Sequence, residues 1–247
     1  MIKIVMPEPI PSLNKGEIAI LGGIRQALNK VGDYSLTLYS PEAWYADDKR
    51  TAGNEYKVVT GLDVYDLAHW FTENPAPRGR TIFFKTWGLL IAFSILYRIS
   101  KRITLLLTRD EMLRSIADAE VILAGHDGML GYIQFWIVLA ARIMGKPIVL
   151  YGGGNDGEGR KGFKIRSYFK FAVHKSALCT VRDIGTYDFL MQNGVSPEKV
   201  YLFPDPAVLL KPCDVDRVKK ILKAENVPAN KSYYGLIPAR GGIVFEK

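Results

Sequence analysis

The chain has 247 residues, 48% hydrophobic and 23% charged, which is enough for a sizeable buried core in one large or two modest domains and excludes a disordered tail or a disulfide-stapled miniprotein. Lys and Arg number 33 against 25 Asp and Glu, and the formal charge of +8 favours acidic partners: phosphorylated metabolites, nucleic acid or an anionic membrane surface. Cys179 and Cys213 form no CxxC pair and have no His at metal-ligand spacing, so a disulfide framework is implausible and a reducing, cytoplasmic compartment is expected.

Short apolar, β-branched runs alternate with helical patterns, which predicts an α/β fold: a doubly wound, mainly parallel sheet. The first run, Ile2 to Met6, precedes Pro7-Glu8-Pro9-Ile10-Pro11 and is too short for a secretory signal, so it reads as a strand and a turn. Ile18, Leu21, Ile24, Leu28 and Val31 then recur at spacings of three and four, marking one apolar helix face. Asn14 supplies its N-cap, with Glu17 three residues on, and Gly32 closes it. Further strands are expected near Ser35 to Ser40, Tyr56 to Thr60, Glu120 to Ala124, Pro147 to Tyr151, Ala177 to Arg182 and Lys199 to Phe203.

The segment Thr81 to Thr108 reads as one long helix or two consecutive ones. Its uncharged stretch, Trp87 to Tyr97, has 11 residues, short of the ~20 that cross a bilayer. Two readings fit: a helix packed across the sheet, or an interfacial helix resting on anionic lipid, with Trp87, Phe93 and Tyr97 beside Arg98, Lys101 and Arg102. An apolar helix follows from Gly128 to Met144, and a short one from Thr186 to Gln192 ends at Asn193-Gly194. The basic stretch Arg160 to Lys175, interleaved with Phe163, Tyr168, Phe169 and Phe171, fits an amphipathic helix with a solvated basic face better than a nucleic-acid patch, so no nucleic-acid partner is expected.

After Phe203 the run Pro204-Asp205-Pro206, a polar helix from Asp214 to Ala224 and Pro228 read as a linker, followed by a strand-like run from Tyr233 to Ile237. The expected organisation is a Rossmann-like domain over 1–210, a linker helix over 211–232 and the start of a truncated second domain over 233–247.

In an open parallel sheet, ligands bind at the carboxyl ends of the strands. The turn Asn14-Lys15-Gly16-Glu17 opens a helix there, and its backbone N–H groups suit an anion or simply a well-capped helix. Gly125-His126-Asp127-Gly128 and Gly152-Gly153-Gly154-Asn155-Asp156-Gly157 are glycine-rich turns on the same edge, suited to backbone contact with phosphate or sugar. Neither has P-loop spacing. His126 beside Asp127 suits an acid/base pair, or a structural role in the loop. Arg182 ends a strand at this edge, where a guanidinium clamps phosphate or carboxylate, and Asp183 after it suits a helix cap. His69 and His174 have no partner motif and read as structural.

Four segments in this order resemble the polysaccharide pyruvyl transferase family: Asn14 to Ile20, Gly145 to Gly152, Thr180-Val181-Arg182-Asp183, and Gly194 and Val200 through to Pro204-Asp205-Pro206-Ala207. The resemblance implies two Rossmann-like domains of the glycosyltransferase-B type with substrates between them. It also implies transfer of the pyruvyl group of phosphoenolpyruvate to two hydroxyls of a sugar, in a polysaccharide or its lipid-linked precursor, forming a ketal. Gly125-His126-Asp127-Gly128 stands where the family usually shows a Gly-Gly-Gly turn.

Under that resemblance His126 and Asp127 handle protons, Arg182 with Gly152, Gly153 and Gly154 binds the donor, and Asn14, Lys15, Gly16, Glu17 and Asn155 position substrate. The route calls for no cofactor and no metal. The partners are phosphoenolpyruvate and a saccharide acceptor, with peripheral membrane contact at the inner face as an extension. Two rivals stay open: a sugar-nucleotide glycosyltransferase of the same architecture, and a non-catalytic saccharide-binding half-protein.

Overall fold

The seven expected strands form at Ile2–Met6 (β1), Tyr34–Tyr39 (β2), Lys57–Val59 (β3), Val121–Ala124 (β4), Ile148–Gly153 (β5), Leu178–Val181 (β6) and Val200–Leu202 (β7). They make one sheet in the order β3-β2-β1-β4-β5-β6-β7, and every neighbouring pair is parallel. The structure is a computed structural model that describes residues 1–10, 14–62, 77–125, 132–154, 167–211 and 213–228. The chain divides into two units, Met1–Leu210 and Lys211–Lys247.

The helices of the first unit are α1 (Lys15–Leu28), α2 (Glu42–Ala52), α3 (Pro77–Ile99), α4 (Lys101–Leu107), α5 (Glu111–Asp118), α6 (Tyr132–Met144), α7 (Ser167–Lys175) and α8 (Ile184–Gln192). In the second unit, α9 (Val215–Ala224) starts at Asp214, whose carboxylate accepts from the Asp216 and Arg217 N–H groups. The fold class is α/β, as the alternation of patterns predicts.

Side chains alternate between the faces of a strand, and the sheet uses both. Ile4 and Met6 of β1, Leu36 and Leu38 of β2 and Leu123 of β4 join Ile20, Leu21 and Ile24 of α1 on one face. Val5, Tyr39, Ile122, Ile148 and Leu150 join Trp87, Leu90 and Phe93 of α3, Met112 and Ile116 of α5 and Val138 and Ala141 of α6 on the other.

The apolar segment after residue 81 resolves into two helices because Ser100 leaves the helix at φ −153°, ψ 97°. Its side chain there accepts from the Ile103 N–H at 3.4 Å, as serine does at an N-cap. Trp87 and Phe93 are core residues at 2% and 5% exposure, as the reading of a helix packed across the sheet expects. Trp87 stacks on Trp136 of α6, and the half-buried Tyr97 donates its hydroxyl to the Ala117 carbonyl. Burying these rings removes large apolar areas from water, which exceeds what an interface with headgroups returns.

Two helices carry no clear signal in the sequence. Helix α2 buries only Asp48 and Ala52, so no apolar stripe marks it; the Ser40 hydroxyl donates to the buried Asp48 carboxylate at 2.6 Å and ties the helix to the end of β2. Helix α5 has eight residues, is capped by Asp110 through the Leu113 N–H, and buries Met112, Leu113, Ile116 and Ala117. The run Pro204-Asp205-Pro206 is no free linker: the 3-10 turn Pro206–Leu209 packs on α1, and Ala207 joins the core on that face.

Candidate functional site

Because all strands are parallel, the loops leaving their carboxyl ends share one edge, and the strand order reverses between β1 and β4. A crevice opens outside such a reversal, since the two neighbouring connections leave to opposite faces. Asn14 follows β1, Gly125 follows β4, Gly152 and Gly153 end β5 with Gly154 directly after, and Arg182 follows β6. His126, Asp127 and Asn155 lie outside the described residues.

At the β1 exit, the Asn14 carboxamide oxygen accepts from the N–H groups of Gly16 (3.0 Å) and Glu17 (3.4 Å). Two donors of the first turn of α1 are thus occupied by the protein itself, which is the capped-helix reading. Asn14, Lys15 and Gly16 remain exposed at the edge, and Glu17 is half-buried.

At the reversal itself stands Glu8, 1% exposed, whose carboxylate accepts from the Gly125 N–H and joins the exits of β1 and β4. A buried carboxylate is retained only where donors meet it. The sequence reading passed over Glu8, although a carboxylate between Pro7 and Pro9 directly after an apolar strand was a usable signal.

At the β5 exit the ladder is irregular between Leu150 and Gly153. Gly152 has φ +73°, a conformation that costs a side-chain-bearing residue roughly 1–2 kcal/mol, and its N–H donates to the Thr180 hydroxyl at 2.8 Å. Gly153 accepts from the Arg182 N–H at 3.1 Å. A Cβ on Gly154 would lie 2.8 Å from Arg182 Nε, so the guanidinium lies directly against the bare backbone of this turn.

The Arg182 guanidinium donates to Asp205 Oδ2 at 3.0 Å, and both side chains are half-buried, at 23% and 31% exposure. Asp205 Oδ1 accepts from the Ala207 N–H at 2.9 Å and so caps the 3-10 turn. The pair joins Thr180-Val181-Arg182-Asp183 to Pro204-Asp205-Pro206-Ala207, two runs far apart in sequence. Asp183 serves α8 instead, accepting from the Thr186 N–H and hydroxyl, both at 2.7 Å. Burial first, and the Asp205 charge second, push the Tyr151 phenol above its ordinary value. One edge therefore carries a guanidinium seated on a glycine turn, a helix start and a buried carboxylate at the reversal.

The topology defines a Rossmann-like α/β protein built on a seven-stranded parallel sheet. The chain belongs to the polysaccharide pyruvyl transferase family, whose family model matches residues 14–242. No curated protein sequence matches it. Similar solved structures include Arabidopsis thaliana UGT89C1 complexed with UDP, at TM-score 0.46 and 12% identity over 90% of this chain and 54% of that one. Anabaena Alr3699/HepE in complex with UDP and glucose is similar at TM-score 0.46 and 11% identity over 92% of this chain and 50% of that one. The chain thus spans about half the length of these solved structures.

Proposed function

We propose that the protein takes part in moving the pyruvyl group of phosphoenolpyruvate onto two hydroxyls of a saccharide, with the donor held at the carboxyl edge. Membership of the family over residues 14–242 carries this reading. In the reaction both sugar oxygens bond to the central carbon of the donor, the enol C–O bond to phosphate breaks, and the methylene gains a proton to become a methyl group. The two hydroxyl protons balance this: one is equivalent to the proton added at carbon, and the other leaves with inorganic phosphate.

Each requirement has a candidate at the edge. The donor brings a carboxylate and a phosphate, which a guanidinium binds through paired N–H donors. Arg182, oriented by Asp205 and seated on Gly154, is assigned that role, with the Gly152 to Gly154 turn as its floor. The α1 start from Asn14 to Glu17 and Asn155 are assigned to the saccharide, and His126 and Asp127 to proton transfer. Glu8 acts as a positioning residue, because its bond to the Gly125 N–H fixes the backbone that leads into His126.

The test is incubation with phosphoenolpyruvate and a panel of saccharides, reading phosphate release together with the mass of the saccharide product. The expected result is phosphate released in step with a ketal-bearing product. Saturable saccharide binding without release would favour a non-catalytic role, and binding of a sugar nucleotide in place of phosphoenolpyruvate would favour glycosyl transfer.

A further inference from the structure

Helix α3 is apolar on both sides, although only one side faces the core. Between Trp87 and Ile99 the buried positions include Trp87, Leu90 and Phe93, while Leu89, Ile95, Leu96 and Ile99 point into solvent. The next helix continues the pattern with Ile103, Leu106 and Leu107, the last two 76% and 74% exposed. A helix hydrophobic all round is ordinarily enclosed on every side, and a contiguous exposed aliphatic surface marks a docking site.

The surroundings of this surface are cationic. From residue 77 to 109 the sequence contains seven Lys and Arg and no Asp or Glu. Arg98, at the end of α3, reaches to within 3.3 Å of where a Cβ on Gly145 would stand, and so borders a groove of about 660 Å³ at the amino ends of β5 and β6. Arg142, Lys146, His174, Lys175 and Lys199 also line it, and among the described residues no carboxylate does. Asp118, paired with Lys3 at 2.8 Å, and Glu198 stand at its margins. The groove occupies the sheet edge opposite to Arg182, so the donor site does not account for it.

We infer that the exposed aliphatic face of α3 and α4, with the adjoining cationic groove, docks the protein on an anionic phospholipid surface. A bilayer supplies both complements at once, hydrocarbon for the aliphatic face and phosphate for the groove. A second copy of the chain fits worse, because a two-fold contact would bring the same cations face to face. Free phosphate fills the groove but leaves the aliphatic face in water. Among the described residues no helix is long and apolar enough to cross a membrane, so the contact is peripheral.

The experiment is flotation of the full chain with vesicles of phosphatidylglycerol and phosphatidylcholine against vesicles of phosphatidylcholine alone, with light scattering of the free protein alongside. Binding is expected only with the anionic lipid, falling as salt is raised. Replacing Arg98, Lys101 and Arg102 with Gln should lower the partition coefficient on the order of 100-fold, from about 1 kcal/mol per cation near the surface. Replacing Leu96 and Leu106 with Gln should also abolish flotation while the thermal melt stays unchanged, because both side chains are at least half exposed. Equal flotation with both vesicle types, or indifference to either set of replacements, would overturn the inference. So would complete competition by inorganic phosphate, or a dimer that the Leu96 and Leu106 replacements dissolve, each assigning the surface to another occupant.

Discussion

Replacing Gly23 with Ala probes the packing that carries Asp205 to Arg182. A Cβ on Gly23 would stand 1.8 Å from the Pro206 carbonyl oxygen and 2.3 Å from its carbon, both backbone atoms that no rotamer change removes. Restoring ordinary contact requires α1 and the 3-10 turn to separate by roughly 1.5 Å. Overpacking of this kind costs about 1–3 kcal/mol or somewhat more, against roughly 1 kcal/mol gained from Ala over Gly in a helix interior. The upper part of that range applies because the obstacle is backbone, so a net loss of about 2 kcal/mol is expected, lowering the melting temperature by roughly 4–8 °C for a unit of this size. Two controls fix the sign. At Gly22 the added Cβ meets Leu210 Cδ2 at 2.7 Å, the end of a side chain that is 41% exposed, so the Ala variant should stay within about 1 kcal/mol of the parent. At Gly88 nothing lies within 4 Å, and Ala there should stabilise by about 0.5–1 kcal/mol. Thermal melts by circular dichroism order the three, and a Gly23→Ala protein that melts at or above the parent would refute the contact.

Arg182→Lys keeps the charge and loses the planar fork, so affinity for phosphoenolpyruvate should fall by roughly 1.5–3 kcal/mol in a titration. The melting temperature should change little, because a partly exposed ion pair contributes about 1 kcal/mol or less. A large loss of stability with donor affinity intact would instead make Arg182 purely structural. Burial pushes the Cys179 thiol from 9.0 up to about 12, whereas Cys213 is exposed, so a thiol reagent should modify one cysteine in the folded protein and the second only on unfolding. The folded Cys179 holds its proton more tightly than the unfolded one, so its contribution to stability is fully present below pH 9.0 and is lost as pH rises towards about 12. Cys179→Ala should flatten that alkaline decline in a pH series of melts.

What the sequence disclosed depends on the physical signal each element carries. The strands were legible because a sheet covered on both faces writes near-continuous apolar runs such as Ile4-Val5-Met6 and Val121–Ala124. The start of helix α1 was legible because its N-cap and stripe are both local, but the helix closes at Asn29 rather than Gly32 and leaves Val31 exposed outside it. Helix α2 was not, since a buried Ser40–Asp48 bond rather than an apolar stripe holds it. The apolar character of α3 was plain, but periodicity could not tell which residues face inward when both faces are aliphatic, and Trp87 and Phe93 went to the core. At the candidate site, Arg182 and the glycine turn were visible from their place after strands. Asp205 was not, because its partner lies 23 positions away and only the return of the chain onto α1 brings the two together.

The central claim is that the donor binds at the carboxyl edge of the sheet, and its most direct test is an amide chemical-shift titration of the isotope-labelled chain with phosphoenolpyruvate. The account predicts saturable shifts at Gly152, Gly153, Gly154 and Arg182, reaching Gly16 and Glu17 when a saccharide is added, with Lys146 and Ser176 at the opposite edge unmoved. Shifts centred on Lys146, Ser176 and Lys199, or none at the carboxyl edge at saturating donor, would contradict it.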